Sequence, residues 1–159
     1  MISANFTLAA RLALAAAFLS AVADRWGLWS IIGSPGVDWG SMGGFYPAVA
    51  ALNPWLPAHL VPALAWAATL VELALGIFLI VGVWLLPVYL ASGVLLTIFG
   101  AAMALFTGLK LPLNYSVFSA AACAFLLYAI EKAEAAGRAR APHEHAADEA
   151  RSALEQRAP

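Results

Sequence analysis

The stretch His59–Phe106, HLVPALAWAATLVELALGIFLIVGVWLLPVYLASGVLLTIFGAAMALF, carries a single formal charge, Glu72, in 48 residues. An α-helix crosses the roughly 30 Å hydrocarbon core of a bilayer with about 20 apolar residues, so this stretch is long enough for two crossings. Gly82 and Pro87 divide it, and proline at position 62 is tolerated in a first helical turn. The pattern predicts spans over about 59–83 and 87–106, joined so closely that they form an antiparallel hairpin.

The reading extends in both directions from this hairpin. Upstream, Phe6 to Ala23 is apolar apart from Arg11 and stops at Asp24-Arg25-Trp26, which predicts a span over about 6–23. Ala21-Val22-Ala23 also fits a signal-peptide cleavage site, but the residues before Arg11 are not basic, so a retained span is expected. Downstream, Gly108-Leu109-Lys110-Leu111-Pro112 reads as a turn and 113–130 as a fourth span. Ser119, Ala120, Ala121, Ala122 and Ala124 would let that last helix approach its neighbours closely.

Between the first two spans, residues 24–58 hold six of the twelve glycines and four of the six tryptophans, Trp26, Trp29, Trp39 and Trp55. Indole rings favour the boundary between lipid and water, so this loop is expected to lie on the bilayer surface or to cap the bundle, with a short helix near Gly43 to Leu52. The expected fold is all-α: an integral membrane four-helix bundle with an aromatic-rich interfacial loop and a polar C-terminal tail over 131–159, helical or disordered.

Composition supports this and excludes much else. The hydrophobic fraction is 64% and only 17 residues are charged, eleven of them after residue 130; a soluble domain has about 25% charged residues. A net charge of -1 gives no basis for a nucleic-acid partner. Cys123 is the one cysteine, so neither an internal disulfide nor a CxxC redox pair exists, and mid-helix it reads as a small buried hydrophobe. His143-Glu144-His145 lacks the four-ligand closure of a structural metal site, and no metal is expected. No HExxH, P-loop, GxSxG or GxGxxG pattern occurs. The third span is uncharged, which argues against a continuous polar pore through one subunit and leaves a homo-oligomer as the way to build one. Lys132, Arg138, Arg140, Arg151 and Arg157 in the tail outnumber Arg25 and Lys110 at the other face, which predicts cytoplasmic termini.

The residues able to carry chemistry are few. Arg11 and Glu72 are ionisable groups inside predicted spans, where such groups normally face the bundle interior. Counted from the cytoplasmic edge at 1.5 Å per residue they lie about 7 and about 16 Å deep, within reach of one another. Three readings follow: a structural ion pair, a ligand or proton site, or an Arg11 that snorkels to the interface. Near the opposite face, Arg25, His59 and Lys110 with Trp26, Trp39 and Tyr46 form either an electropositive mouth for an anionic or carbonyl-bearing headgroup or ordinary interfacial anchoring.

Several segments together carry a family resemblance: Arg11, Asp24-Arg25-Trp26-Gly27-Leu28, Gly36-Val37-Asp38-Trp39-Gly40, Leu52-Asn53-Pro54-Trp55-Leu56-Pro57, Glu72-Leu73-Ala74-Leu75-Gly76 and Pro112-Leu113-Asn114-Tyr115-Ser116-Val117-Phe118. In this order, over residues 5–130, they resemble the bacterial DoxX/DoxD-like membrane family. The resemblance implies a four-helix protein of the bacterial inner membrane. One branch of that family is similar to the membrane subunit of an archaeal thiosulfate:quinone oxidoreductase, which implies a quinone-side role beside a soluble oxidoreductase, with quinone as the only cofactor suggested and none covalently attached. The alternative is a non-catalytic membrane scaffold or a small-solute permease whose buried ion pair is structural.

Overall fold

The computed structural model describes residues 4–33 and 35–155, with side chains as far as residue 140. Its elements are α1 (Ala4–Arg25), α2 (Leu28–Ile31), α3 (Met42–Leu52), α4 (Val61–Val81), α5 (Leu85–Phe106), α6 (Lys110–Asn114) and α7 (Val117–Glu155), with one 3-10 turn at Ala58–Leu60 leading into α4. Among the described residues there is no strand. Three helices, Ala4–Arg25, Ala58–Val81 and Leu85–Phe106, are long and apolar enough to cross a membrane.

Local chemistry sets these boundaries. Pro62 lies in the first turn of α4, and Gly82 closes its far end with φ 80, donating its N–H to the Phe78 carbonyl at 2.8 Å. Trp84, also left-handed with φ 50, starts α5 three residues after α4 stops. Its ring packs on Phe78 with centroids 5.6 Å apart, fixing the hairpin that the sequence predicts.

Two antiparallel seams hold the long helices together. Along α1 and α4, Gly76 faces Ala15 and Leu19, and a methyl group at Gly76 would sit 2.7 Å from Leu19 Cδ2. Along α5 and α7, Gly93 receives the ring of Phe125 and Gly100 that of Phe118, each ring 2.7 Å from where a Cβ would stand. Gly93 and Gly100 are seven residues apart, as are Phe118 and Phe125, so two rings enter two holes in one register. Small residues admit close helix contact where lipid supplies no hydrophobic drive between helices. Leu75, Leu79, Tyr89, Phe18 and Leu127 fill the space between the seams.

Outside this core the helices present Leu70, Ile77, Ile80, Val94, Ile98 and Leu126, all exposed. A water-soluble bundle places polar residues there, so the outward face is suited to lipid, consistent with a membrane protein. Thr69 and Thr97 turn their hydroxyls onto the Ala65 and Gly93 carbonyls, at 2.8 and 2.7 Å, leaving neither donor unpaired in an apolar setting.

The structure departs from the sequence reading in two places. The segment 113–130 is not one helix: Ser116, with φ 54, breaks the chain between α6 and α7. Position 130 is no boundary, because α7 continues through the charged residues, where Arg138 bridges Glu131 at 3.0 Å and Glu134 at 3.7 Å. Residues 24–58 follow the second of their two expected arrangements, a cap over the bundle, and α3 falls on the short helix expected near Gly43 to Leu52. They fold around α2 and α3 into a cap whose Phe45 and Val49 pack on Val61 and Ala65 of α4. The side chains of His143 and His145 lie outside the described residues.

Candidate functional site: a buried arginine clamp under the cap

Asp24 and Arg25 end α1 and point their side chains to different tasks. The helix stops because Gly27 takes φ 73, and a side chain there would strike the Gly40 carbonyl at 2.9 Å. The Asp24 carboxylate, 6% exposed, accepts backbone N–H bonds from Asp38 at 2.9 Å, Trp39 at 3.3 Å and Gly40 at 3.0 Å. Three donors wrapped around one anion hold the cap loop against the helix end. Hydrogen bonds to a charged group contribute about 1.5–3 kcal/mol each, so this contact is a principal fastening of the cap. Asp38 in turn accepts from the Tyr115 hydroxyl at 3.2 Å, which ties the same loop to the α6–α7 junction.

From Trp39 the chain enters α3. Ser41 caps that helix by accepting the Gly44 N–H at 3.0 Å, and Gly44 lies so close to the Trp39 carbonyl that no side chain fits. This turn sets the Trp39 and Phe45 rings edge to face, with centroids 4.9 Å apart.

Arg25 lies beneath these rings. Cβ bonds tilt toward a helix N-terminus, so an arginine at the last position of α1 reaches back along its own helix into the bundle. Its guanidinium carbon stands 3.9 Å from the Phe45 centroid and 5.2 Å from that of Trp39. Its nitrogens fork onto Glu72: Nη2 donates to Oε1 at 3.2 Å, and Nη1 lies 2.7 Å from Oε2 as an ion contact off the N–H axis. Nη1 also donates to the Thr69 hydroxyl at 3.1 Å. Arg25 is 4% and Glu72 2% exposed, and Thr69 is fully buried with Met42 Sδ 3.8 Å from its hydroxyl. The charges balance, and aromatic faces rather than water cover the cation. Glu72 lies about 16 Å along α4 from Val61, near the middle of the helix.

The expected partner of Glu72 is therefore replaced. Arg11 does not meet it. In the antiparallel register that sets Ala15 and Leu19 on Gly76, Arg11 falls opposite Gly82, with Nη1 3.0 Å from where a Gly82 Cβ would stand. Ten residues of α4, about 15 Å, separate Gly82 from Glu72. Depth counted from predicted span ends erred because α1 extends beyond residue 23 and carries Arg25 to the pairing level.

The expected mouth also divides. Arg25 and Trp39 belong to the clamp, and Tyr46 packs beside the cap cluster. Trp26 is exposed, as are His59 in the 3-10 turn and Lys110 at the start of α6, and the clamp's hydrogen bonds, ion pair and ring contacts are made by other residues. Thr69 and Phe45 are clamp residues that the sequence reading passed over. Thr69 lies one turn before Glu72, on the same helical face and in an otherwise apolar span, and that spacing was the available signal. Nothing local marked Phe45, which reaches Arg25 only through the fold of the cap.

Fold and site together define an all-helical protein with three membrane-capable helices, an ordered cap, and a charge-balanced ion pair sealed between them. Comparison with protein-family models, with curated proteins and with solved structures finds no match.

Proposed function

We propose that the chain is a non-catalytic membrane subunit: a four-crossing protein of the bacterial inner membrane with cytoplasmic termini, serving as the scaffold on which a soluble oxidoreductase partner meets the quinone pool. The observation that carries the scaffold role is the engagement of Glu72. Its carboxylate is held by Arg25, and Arg25 is covered by Phe45 and Trp39, so this buried acid of α4 is committed to joining α1, α4 and the cap. The redox setting rests on the DoxX-like resemblance. In its support, segments that carry the resemblance converge at one end of the molecule: Asp24 on Asp38–Gly40, Arg25 on Glu72, and Tyr115 on Asp38. The fourth crossing is assigned to α7, whose fourteen apolar residues from Val117 to Ile130 cover about 21 Å of the roughly 30 Å core and leave the rest to the continuing helix.

Glu72→Gln provides the test. A structural clamp predicts a less stable protein whose affinity for ubiquinone analogues, measured in detergent by quenching of tryptophan fluorescence, matches that of the wild type. Weakened, saturable quinone binding with unchanged stability would assign Glu72 to a quinone site instead. Reporter fusions after Pro159 are expected to be active as cytoplasmic fusions and insertions near Gly36 as periplasmic ones; opposite sides for the two termini would overturn the four-crossing arrangement.

A further inference from the structure

Arg11, displaced from Glu72, stands at the other end of the bundle from the clamp. Its guanidinium lies against Gly82, at the C-terminal end of α4, where the helix dipole favours a cation. Its Nε is buried and has no hydrogen-bond partner. Beside it opens a cleft of about 150 Å³, lined by Thr7 and Arg11 of α1, Tyr89 of α5, and Glu131 and Glu134 of α7. Both glutamates are held by Arg138, which is itself 64% exposed on the outer side. Arg11, Arg138, Glu131 and Glu134 sum to zero charge, with a fixed cation on one wall and a pair of anions on another.

A second hollow adjoins this one. Thr7 lines both, and the other walls of the second, Phe6, Ala10, Cys123, Leu126, Leu127 and Ile130, are apolar and enclose about 180 Å³ between α1 and α7. A polar recess with separated charges beside an apolar groove on a lipid-facing surface is complementary to an amphiphile whose headgroup carries both signs.

We propose that this pair of hollows binds a zwitterionic phospholipid with a primary ammonium, its phosphate on Arg11, its ammonium on Glu131 and Glu134, and an acyl chain along the Phe6–Leu126 groove. The site rests on the membrane reading given above. Arg11 lines the polar recess beside Tyr89, and its guanidinium offers charge-assisted N–H bonds to a phosphate oxygen. The ammonium, with three N–H donors, takes the place of Arg138, whose extended side chain is free to move into water. A choline headgroup has no N–H to offer these carboxylates, and a glycerol headgroup has no cation. Of these three headgroups, ethanolamine meets both walls.

The full chain in mild detergent, titrated with phosphatidylethanolamine, phosphatidylcholine and phosphatidylglycerol of matched acyl chains and read by native mass spectrometry, tests this. The wild type is expected to retain the ethanolamine lipid about tenfold more tightly than either of the others, the size of one charge-assisted hydrogen bond. Arg11→Gln is expected to weaken retention of all three lipids alike, since each carries the phosphate, and to leave the ethanolamine preference that the two glutamates supply. Glu131→Gln with Glu134→Gln, two surface changes that leave the bundle core intact, is expected to turn it toward phosphatidylglycerol. Equal retention of all three lipids by the wild type, an unchanged preference in the double glutamate variant, or tighter retention of a quinone than of any phospholipid overturns the proposal. Carbonate-resistant membrane fractionation tests the membrane reading separately: a chain that stays with the membrane but shows no headgroup preference refutes the lipid site alone.

Discussion

Removing one member of the Arg25–Glu72 pair leaves its partner charged, unpaired and out of water. Breaking a buried ion pair from one side costs about 3–5 kcal/mol, whereas exchanging both members for apolar residues of similar volume is often near neutral. Here Arg25 has more to lose than Glu72. Its guanidinium also faces Phe45 at 3.9 Å and bonds the Thr69 hydroxyl, and a desolvated cation–π contact adds about 2 kcal/mol. Arg25→Met is therefore expected to be the most damaging single change, Glu72→Leu somewhat milder, and the double variant milder than the sum of the two by about 3 kcal/mol or more. Reversible unfolding in mixed micelles, followed by the fluorescence of the cap tryptophans, supplies the four free energies of the cycle. Additivity within about 0.5 kcal/mol would refute the clamp, because only residues that do not interact add so closely. A matching cycle between Arg11→Leu and Glu72→Leu is expected to be additive, and strong coupling there would refute the helix register.

Asp24→Asn keeps the size of the side chain but removes the charge that gathers three N–H groups, so the cap is expected to loosen while the long helices persist; faster proteolytic cleavage within 28–41 at unchanged helical circular dichroism is the reading. Gly100→Leu places a side chain where the Phe118 ring stands and is expected to destabilise the protein by about 1–3 kcal/mol or more, as overpacked cores do, in detergent unfolding. Part of that loss is expected to return when Phe118→Ala is added. Partial burial, and then the nearby Asp38 and Asp24 carboxylates, push the Tyr115 phenol above its usual 10. A raised pKa in the folded state means that the neutral phenol supports the fold fully below pH 10, and that this support fades as pH rises through the shifted value. Absorbance titration at 295 nm should show one tyrosine fewer titrating late in Tyr115→Phe, while in Asp38→Asn the same tyrosine should titrate earlier than in the wild type.

The long elements were legible because each rests on a local signal. An apolar run with one charge gave α4 and α5, and Gly82 gave their turn. Ser116 was not legible, since nothing in Asn114-Tyr115-Ser116 marks a left-handed residue, and only the structure shows the break between α6 and α7 there. The α5–α7 seam was hidden for a related reason. Alanines on the last helix drew attention to small residues there, while the holes that receive Phe118 and Phe125 are glycines on α5. As for the site, sequence picked out Glu72 as the buried acid and placed Arg25 at a span end, but depth arithmetic could not see that Arg25 reaches inward along its own helix. Pairing in a helical membrane protein is fixed by register between helices, which the Gly76–Leu19 contact sets.

The clamp also bears on how the chain is made. Arg25 and Glu72 are 47 residues apart, and at synthesis rates of about 5–20 residues per second the arginine waits about 2–9 s for its acid. During that interval the guanidinium at the C-terminal end of α1 has no acid on α4 to pair with, and an unpaired charge is costly to take out of water. Burial of Arg25 beneath Phe45 and Trp39 therefore depends on a helix made later than the cap that covers it. A chain cut before α4 would hold both rings of the clamp and its cation but not the acid that lets them close.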